Sequence, residues 1–249
     1  MYYVSTWGIA RSCDFYPKYF DGNPHQEIAF DPRDYSGIRD GSVVYVLTLH
    51  LPLFLDQVFG SPKYSDKRIV LVTGNADNGI PNDEYFNRKD VLDQEEYLSL
   101  LDDDRLIHWF CQNFTSSHPK VTNLPIGLNY HTMKSEPSVR TREHITYQNW
   151  GKKTDPSDQE NLIRNIKSRA NPAASRLRKA YMNMFKPAHQ MRINIYNYFR
   201  SQGYVFSENS YISREKTWEE QSRFSFVISP PGGGFDCFRT WEALVLGCV

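Results

Sequence analysis

The residues best placed by type and spacing to do chemistry lie in FSFVISPPGGGFDCFRTWEALVLGCV at 224–249. An apolar run rich in β-formers leads into Pro230, Pro231, Gly232, Gly233 and Gly234, which stop a strand and let backbone come close to a ligand. A helix follows. With Asp236 as its expected N-cap, the helix would turn unbonded N–H groups and the positive end of its dipole toward the turn, where a phosphate is stabilised. Arg239 falls in the first helical turn and Glu242 one turn later on the same side, so a guanidinium can reach phosphate oxygens while a carboxylate accepts from sugar hydroxyls. Cys237, Trp241, Leu244 and Cys248 form the expected buried stripe of this helix. A phosphate beside a ribose is a nucleotide. The dinucleotide fingerprint is not met, because Cys237 stands where its third glycine belongs.

The stretch SPPGGGFDCFRTWEALVLGC resembles the donor-site signature of exostosin-like glycosyltransferases, in which a strand ending in S-P-x-G leads to a D-C-x-R-T-W-E-A-L helix. A weaker echo lies in WFCQNF at 109–114 and LPIGLNYHT at 124–132, which resemble the W-F-x-Q-N and P-I-G-L segments of virus-encoded members, particularly those of chloroviruses. The resemblance implies a GT-B fold, with two Rossmann-type domains and a cleft between them. It further implies a nucleotide-sugar donor, UDP-linked in the first instance, inversion at the anomeric carbon, and no bound metal or other cofactor. Xylose as the sugar and a viral N-glycan as the acceptor rest on the same resemblance. Family members continue past the position of Val249, so the second domain is expected to be truncated at its C-terminus.

Glycosyl transfer from a nucleotide requires neutralisation of the leaving diphosphate, a nucleoside pocket and a base for the acceptor hydroxyl. The terminal motif supplies the first two, with Gly232, Gly233 and Gly234 as backbone donors, and Arg178, Lys179, Lys186 and Arg192 could add positive charge. The base is expected at the carboxyl ends of the first-half strands, where open α/β sheets place ligands. Asp77 in the loop TGNADNG is preferred, His50 is the second candidate, and His131 in GLNYHT is a candidate for acceptor contacts. Asp102, Asp103 and Asp104 leave a metal-dependent, GT-A-type enzyme open, since hard oxygen ligands suit Mn²⁺ or Mg²⁺. The helical character of the residues before them favours a turn instead. A sugar-nucleotide- or glycan-binding module without catalysis is the alternative from outside the enzymes. G-x-S-x-G, H-E-x-x-H and the P-loop sequence are all missing, which removes the usual hydrolase, metalloprotease and P-loop hypotheses.

Positioning these residues falls to an alternation of strand and helix signals. Runs at 42–48, 68–73, 105–110 and 121–124 read as strands, with helical spacing at 50–59 and 93–101 between them. Near-continuous apolar strands separated by helices indicate a parallel sheet covered on both faces. The polar stretch 133–156 makes the best linker, and Ser157 with Glu160 forms a capping-box pattern for the next helix. Strands at 177–185, 204–206 and 224–228 then alternate with helices at 187–201 and 213–223. The expected domains are 1–140 on the acceptor side and 157–249 for the nucleotide sugar, joined by 141–156. Lys plus Arg and Asp plus Glu are equal at 29 each, so no long-range field draws nucleic acid or an anionic membrane, and anion binding must be local. Four scattered cysteines without paired spacing, and no stretch resembling a signal or membrane anchor, predict reduced thiols and a cytoplasmic protein.

Overall fold

The computed structural model describes residues 2–20, 28–82, 86, 88–128, 130, 155–183, 190–209 and 212–249. Residues 141–154 of the expected linker therefore fall outside the described residues, as do His131 and Lys186, while its last two, Asp155 and Pro156, begin a helix. The fold is α/β with parallel sheets. It divides into two compact units, one comprising Val4–Ile126 with Gly233–Asp236, the other Met1–Tyr3, Gly127–Gly232 and Cys237–Val249. We call them the N-terminal and C-terminal units.

The N-terminal unit is built on four parallel strands in sequential order: β1 (Ser42–Leu47), β2 (Ile69–Gly74), β3 (Leu106–Cys111) and β4 (Val121–Asn123). Alternation along the strands feeds two faces. Val44, Val46, Leu71 and Trp109 pack with Leu51, Phe54, Leu100 and Leu101, whereas Tyr45, Leu47 and Val72 pack with Ala10 and Phe20 of the N-terminal segment. The first group draws on α2 (Leu51–Phe54) and α3 (Gln94–Asp102), and Ala10 lies in α1 (Thr6–Arg11). The helical signal at 50–59 is realised piecewise, as α2 running into a π-helical turn at Leu55–Phe59. A full capping box, Asp93 with Glu96, starts α3. Buried Trp109 donates its indole N–H to Thr73 Oγ1 at 2.9 Å, so the largest core side chain also satisfies its polar atom.

The C-terminal unit runs α4 (Pro156–Arg169), β5 (Leu177–Met182), α5 (Gln190–Phe199), β6 (Val205–Ser207), α6 (Arg214–Gln221), β7 (Phe224–Val227) and α7 (Phe238–Leu246). Its parallel strands are ordered β6-β5-β7. Ile163, Ile166, Trp218, Ala243 and Leu246 form one core, and Met182, Val205 and the side chains of α5 form another. Because β5 connects outward to β6 while β7 lies on its other side, the strand order reverses at β5/β7. Such a reversal opens a crevice at the carboxyl ends of the strands, the usual ligand position in open α/β sheets. The sequential order β1 to β4 has no such reversal.

Two local expectations fail. Ser157 and Glu160 make no capping box, since Asp155 is the N-cap of α4 and makes no side-chain capping bond. Glu160 is buried instead, accepting from the N–H groups of Tyr2 and Tyr3 and from the Tyr130 hydroxyl. The division between units also falls at Ile126/Gly127, earlier than the expected boundary near 140, and four residues of the glycine turn belong to the N-terminal unit.

Candidate functional site

In the C-terminal unit Ser229, Pro230, Pro231 and the start of α7 follow the carboxyl end of β7, at the strand-order reversal. Two arginines converge there. Arg239, in the first turn of α7, directs Nη1 to the Pro230 carbonyl at 3.4 Å and to Cys237 Sγ at 3.5 Å. Arg192, a buried residue of α5, donates from Nε to the next carbonyl, Pro231, at 2.8 Å. Ser229 and Thr240 share a 2.8 Å hydroxyl bond that ties the end of β7 to the first turn of α7. Cys237 is the N-cap and makes no side-chain capping bond, so the helix presents its dipole to this corner without a capping oxygen. Two guanidinium groups, each planar with five donors, beside a nine-residue helix N-terminus are the chemistry of a phosphate or diphosphate site. Nearby, the Tyr181 hydroxyl points to Glu208 Oε1 at 3.4 Å. Burial pushes the Tyr181 pKa up, so the phenol stays a neutral donor at physiological pH.

Three expectations for this motif need correction. Glu242 does not face the turn: it is buried and ion-paired with buried Arg214 from α6. The helix is rotated about its axis relative to the expected stripe, burying Glu242, Ala243 and Leu246 and leaving Leu244 exposed. Asp236 is not the N-cap; its Oδ2 accepts from the Ile126 N–H at 2.8 Å in the N-terminal unit. Arg178 and Lys179 are exposed near the start of β5, which is paired with the start of β7 at Phe224. Roughly 20 Å of extended chain separates that end of the sheet from Pro230, so neither belongs to the turn.

The carboxyl edge of the N-terminal sheet carries His50 after β1, Asp77 after β2 and the pair Gln112–Asn113 after β3. Asn75 and Asn113 both adopt positive φ, 66° and 58°, in the left-handed region that asparagine tolerates best among residues with a Cβ. Gln112 organises the edge: Oε1 accepts from Asn75 N, while Nε2 donates to Thr6 Oγ1 and to the Pro125 carbonyl. Asn113 donates from Nδ2 to Ala76 O and accepts at Oδ1 from Asp236 N. Arg88 donates to the Asp77 carbonyl at 2.9 Å and to the Gly233 carbonyl at 2.5 Å.

The two glycines are closely approached, Gly234 by the Asp77 backbone carbonyl and Gly233 by the exposed Asp77 carboxylate. A Cβ on Gly233 would lie 1.9 Å from Asp77 Oδ2, and one on Gly234 would lie 2.8 Å from Asn113 Nδ2. No sugar-sized gap therefore separates Asp77 from Gly233, contrary to the expectation for a base facing the turn. His50 is half-buried, edge-on to Phe30 at 5.8 Å, with Nδ1 buried and the ring beside the Ile28 backbone, whose hydrogen bond works against the effect of burial. Burial lowers its pKa below the ordinary imidazole value, so it is neutral at pH 7 and able to accept a proton.

The aspartate triplet closes α3 and precedes β3, at the amino end of that strand. Asp103 is held by Arg105 at 2.6 Å, which lowers its pKa, while Asp102 and Asp104 are exposed. Among the described residues no group of three His, Cys, Asp or Glu side chains could hold a metal ion. Sequence reasoning missed Arg88, Gln112, Asn113 and Arg214. The available signal was the Gln-Asn pair following LIHWFC, since adjacent amides at the carboxyl end of a buried strand lie where ligands and crossing loops are bound.

No protein-family model matches the chain, and no curated protein matches it. Among the described residues no helix is long and apolar enough to cross a membrane.

Proposed function

We propose that this chain is a glycosyltransferase that takes its sugar from a nucleoside-diphosphate donor, UDP-linked in the first instance, and passes it to a glycan hydroxyl. The convergence of Arg192 and Arg239 on the successive carbonyls of Pro231 and Pro230, at the head of α7 and at the strand-order reversal, carries this reading. Both guanidinium groups would neutralise the departing diphosphate. The reading takes the two units as donor and acceptor halves of a GT-B enzyme that inverts at the anomeric carbon without a metal. Its support is the presence of a parallel α/β sheet in each unit and the likeness of the C-terminal motif to exostosin-like enzymes.

His50 and Asp77 both stay candidates for the base: the imidazole is neutral but its Nδ1 is buried, and the Asp77 carboxylate is exposed but lies over Gly233. The same packing favours a second reading, a sugar-nucleotide-binding module without transfer.

Calorimetric titration with UDP, GDP and TDP tests the donor site. Arg239→Ala should weaken the preferred nucleotide by about ten- to a hundredfold, the loss of one charge-assisted bond of roughly 1.5–3 kcal/mol. Unchanged affinity in a folded Arg239→Ala protein refutes the diphosphate assignment. Release of sugar from the donor by wild type, lost in His50→Asn or in Asp77→Asn, separates the enzyme from the binding module.

A further inference from the structure

Arg214 holds Glu242 away from the turn, so a ribose bound in the C-terminal unit needs another carboxylate. The carboxyl edge of the same sheet carries one. Glu208 follows the last residue of β6, and its N–H donates to the carbonyl of Met182, the last residue of β5, at 3.0 Å. Its half-buried side chain meets the Tyr181 hydroxyl. Burial raises the Tyr181 pKa, with Glu208 adding to the rise and Arg239 opposing it, so the phenol, the carboxylate and the guanidinium share one electrostatic neighbourhood.

A second, independent observation points to a ligand at this edge. Among the described residues, Ser207 Oγ at the end of β6 and Asn183 Oδ1 immediately after β5 are buried without a hydrogen-bond partner. An unsatisfied buried polar atom costs stability, and a ligand that supplies the partner removes the cost. The two faces of the sheet contribute different groups. Ser207 is in register with Met182, which packs under α5, the helix that carries Arg192. Tyr181, and with it Glu208, lies on the opposite face, in register with Val227, which packs against the core that includes Ala243 of α7. The carboxyl ends of β5 and β6 thus offer an acceptor for hydroxyls on one side and a lone hydroxyl on the other.

A nucleoside diphosphate presents the complementary set: anionic oxygens for the guanidinium groups, vicinal 2′- and 3′-hydroxyls for a carboxylate, and a base edge of carbonyl and N–H groups for a hydroxyl and an amide. In dinucleotide-binding sheets an acidic side chain beyond the phosphate turn takes the ribose hydroxyls in this way. We propose that Glu208 is the ribose-binding carboxylate of the donor site, and that Ser207 and Asn183 take the polar edge of the base. The assignment rests on the donor reading above and lies wholly within the C-terminal unit.

The test is calorimetric titration of wild type, Glu208→Gln and Ser207→Ala with UDP, 2′,3′-dideoxy-UDP and inorganic diphosphate. Glu208→Gln should bind UDP about ten- to a hundredfold more weakly, the loss of one charge-assisted bond, while binding the dideoxy nucleotide and inorganic diphosphate as wild type does. Glu208→Asp, which draws the carboxylate back by one methylene, should show the same pattern and replaces the first variant if that folds poorly. Ser207→Ala should weaken both nucleotides, spare inorganic diphosphate and leave the melting temperature unchanged or higher, because the hydroxyl it deletes has no partner in the free protein. A lowered melting temperature with wild-type nucleotide affinity overturns the part given to Ser207. Wild-type UDP affinity in folded Glu208→Gln, or equal losses for UDP and inorganic diphosphate, overturns the ribose assignment while the donor reading stands. A wild-type protein that binds neither UDP nor inorganic diphosphate overturns both.

Discussion

Replacing Glu242 by glutamine distinguishes a ribose-binding carboxylate from a structural one. In the structure its side chain is 9 % exposed and that of Arg214 is 4 % exposed, and the two are directly ion-paired between α6 and α7. Glu242→Gln keeps the shape and removes the charge that faces the buried Arg214 guanidinium. Breaking a buried pair on one side costs about 3–5 kcal/mol, well beyond the 0–1 kcal/mol of a surface pair. Arg214 also lies 5.1 Å over the Trp218 ring, an attraction that survives the change and holds the expected loss to the lower part of that range. At about 2–4 °C per kcal/mol, a loss of about 3–4 kcal/mol should lower the transition containing the C-terminal unit by roughly 6–16 °C. Scanning calorimetry measures this, read transition by transition because two units need not melt as one. The paired replacement Arg214→Met with Glu242→Leu removes both charges and should recover most of the loss. Nucleotide affinity of Glu242→Gln, measured well below its melting point, should match wild type. An unchanged melting temperature together with lost affinity for UDP but not for inorganic diphosphate would refute this reasoning and return Glu242 to the ribose.

Three further expectations can be checked in the same protein. Gly233→Ala places a methyl 1.9 Å from Asp77 Oδ2, the end of an exposed side chain that can turn away, so the cost should stay within about 1 kcal/mol and adding Asp77→Ala should remove it, measured as a double-mutant cycle in urea. If His50 is the base, donor turnover should fall as pH drops through a value below 6.5, and His50→Asn should abolish that limb; a limb that persists in the variant removes the assignment. Because the folded-state pKa of His50 is depressed, its contribution to stability is full above the unfolded value near 6.5 and is lost as pH falls through the folded value, so His50→Asn should also flatten stability between pH 7 and 5.

The sheet strands were legible because a parallel strand buried on both faces needs an unbroken apolar run. SVVYVL and IVLVTG supply one each, whereas LIHWFC is interrupted by His108 and leaves Ile107 exposed. The phase of α7 was not legible. Apolar residues occur nearly all round FRTWEALVL, so periodicity alone could not decide which side faces the core. Arg214, 28 positions away, decides it by offering a buried carboxylate its partner. Asp236 and Glu160 were misread for a related reason. Both are good capping residues by local rules, and both instead satisfy backbone N–H groups far along the chain, at Ile126 and at Tyr2 and Tyr3. Arg239 and Arg192 were legible as charges near the turn. Their convergence on adjacent proline carbonyls required the β6-β5-β7 order, which no local pattern encodes.

The excursion of Gly233–Asp236 into the N-terminal unit also sets a schedule for synthesis. Val4–Ile126 leaves the ribosome first with its sheet strands complete, but the acceptor at Asn113 Oδ1 and the donor at Ile126 N–H wait for Asp236, 110 positions downstream of Ile126. At about 5–20 residues per second that interval is roughly 5–20 s. Throughout it, Asn113 Oδ1, Ile126 N–H and Arg88 lack the partners that Asp236 and Gly233 give them in the folded chain.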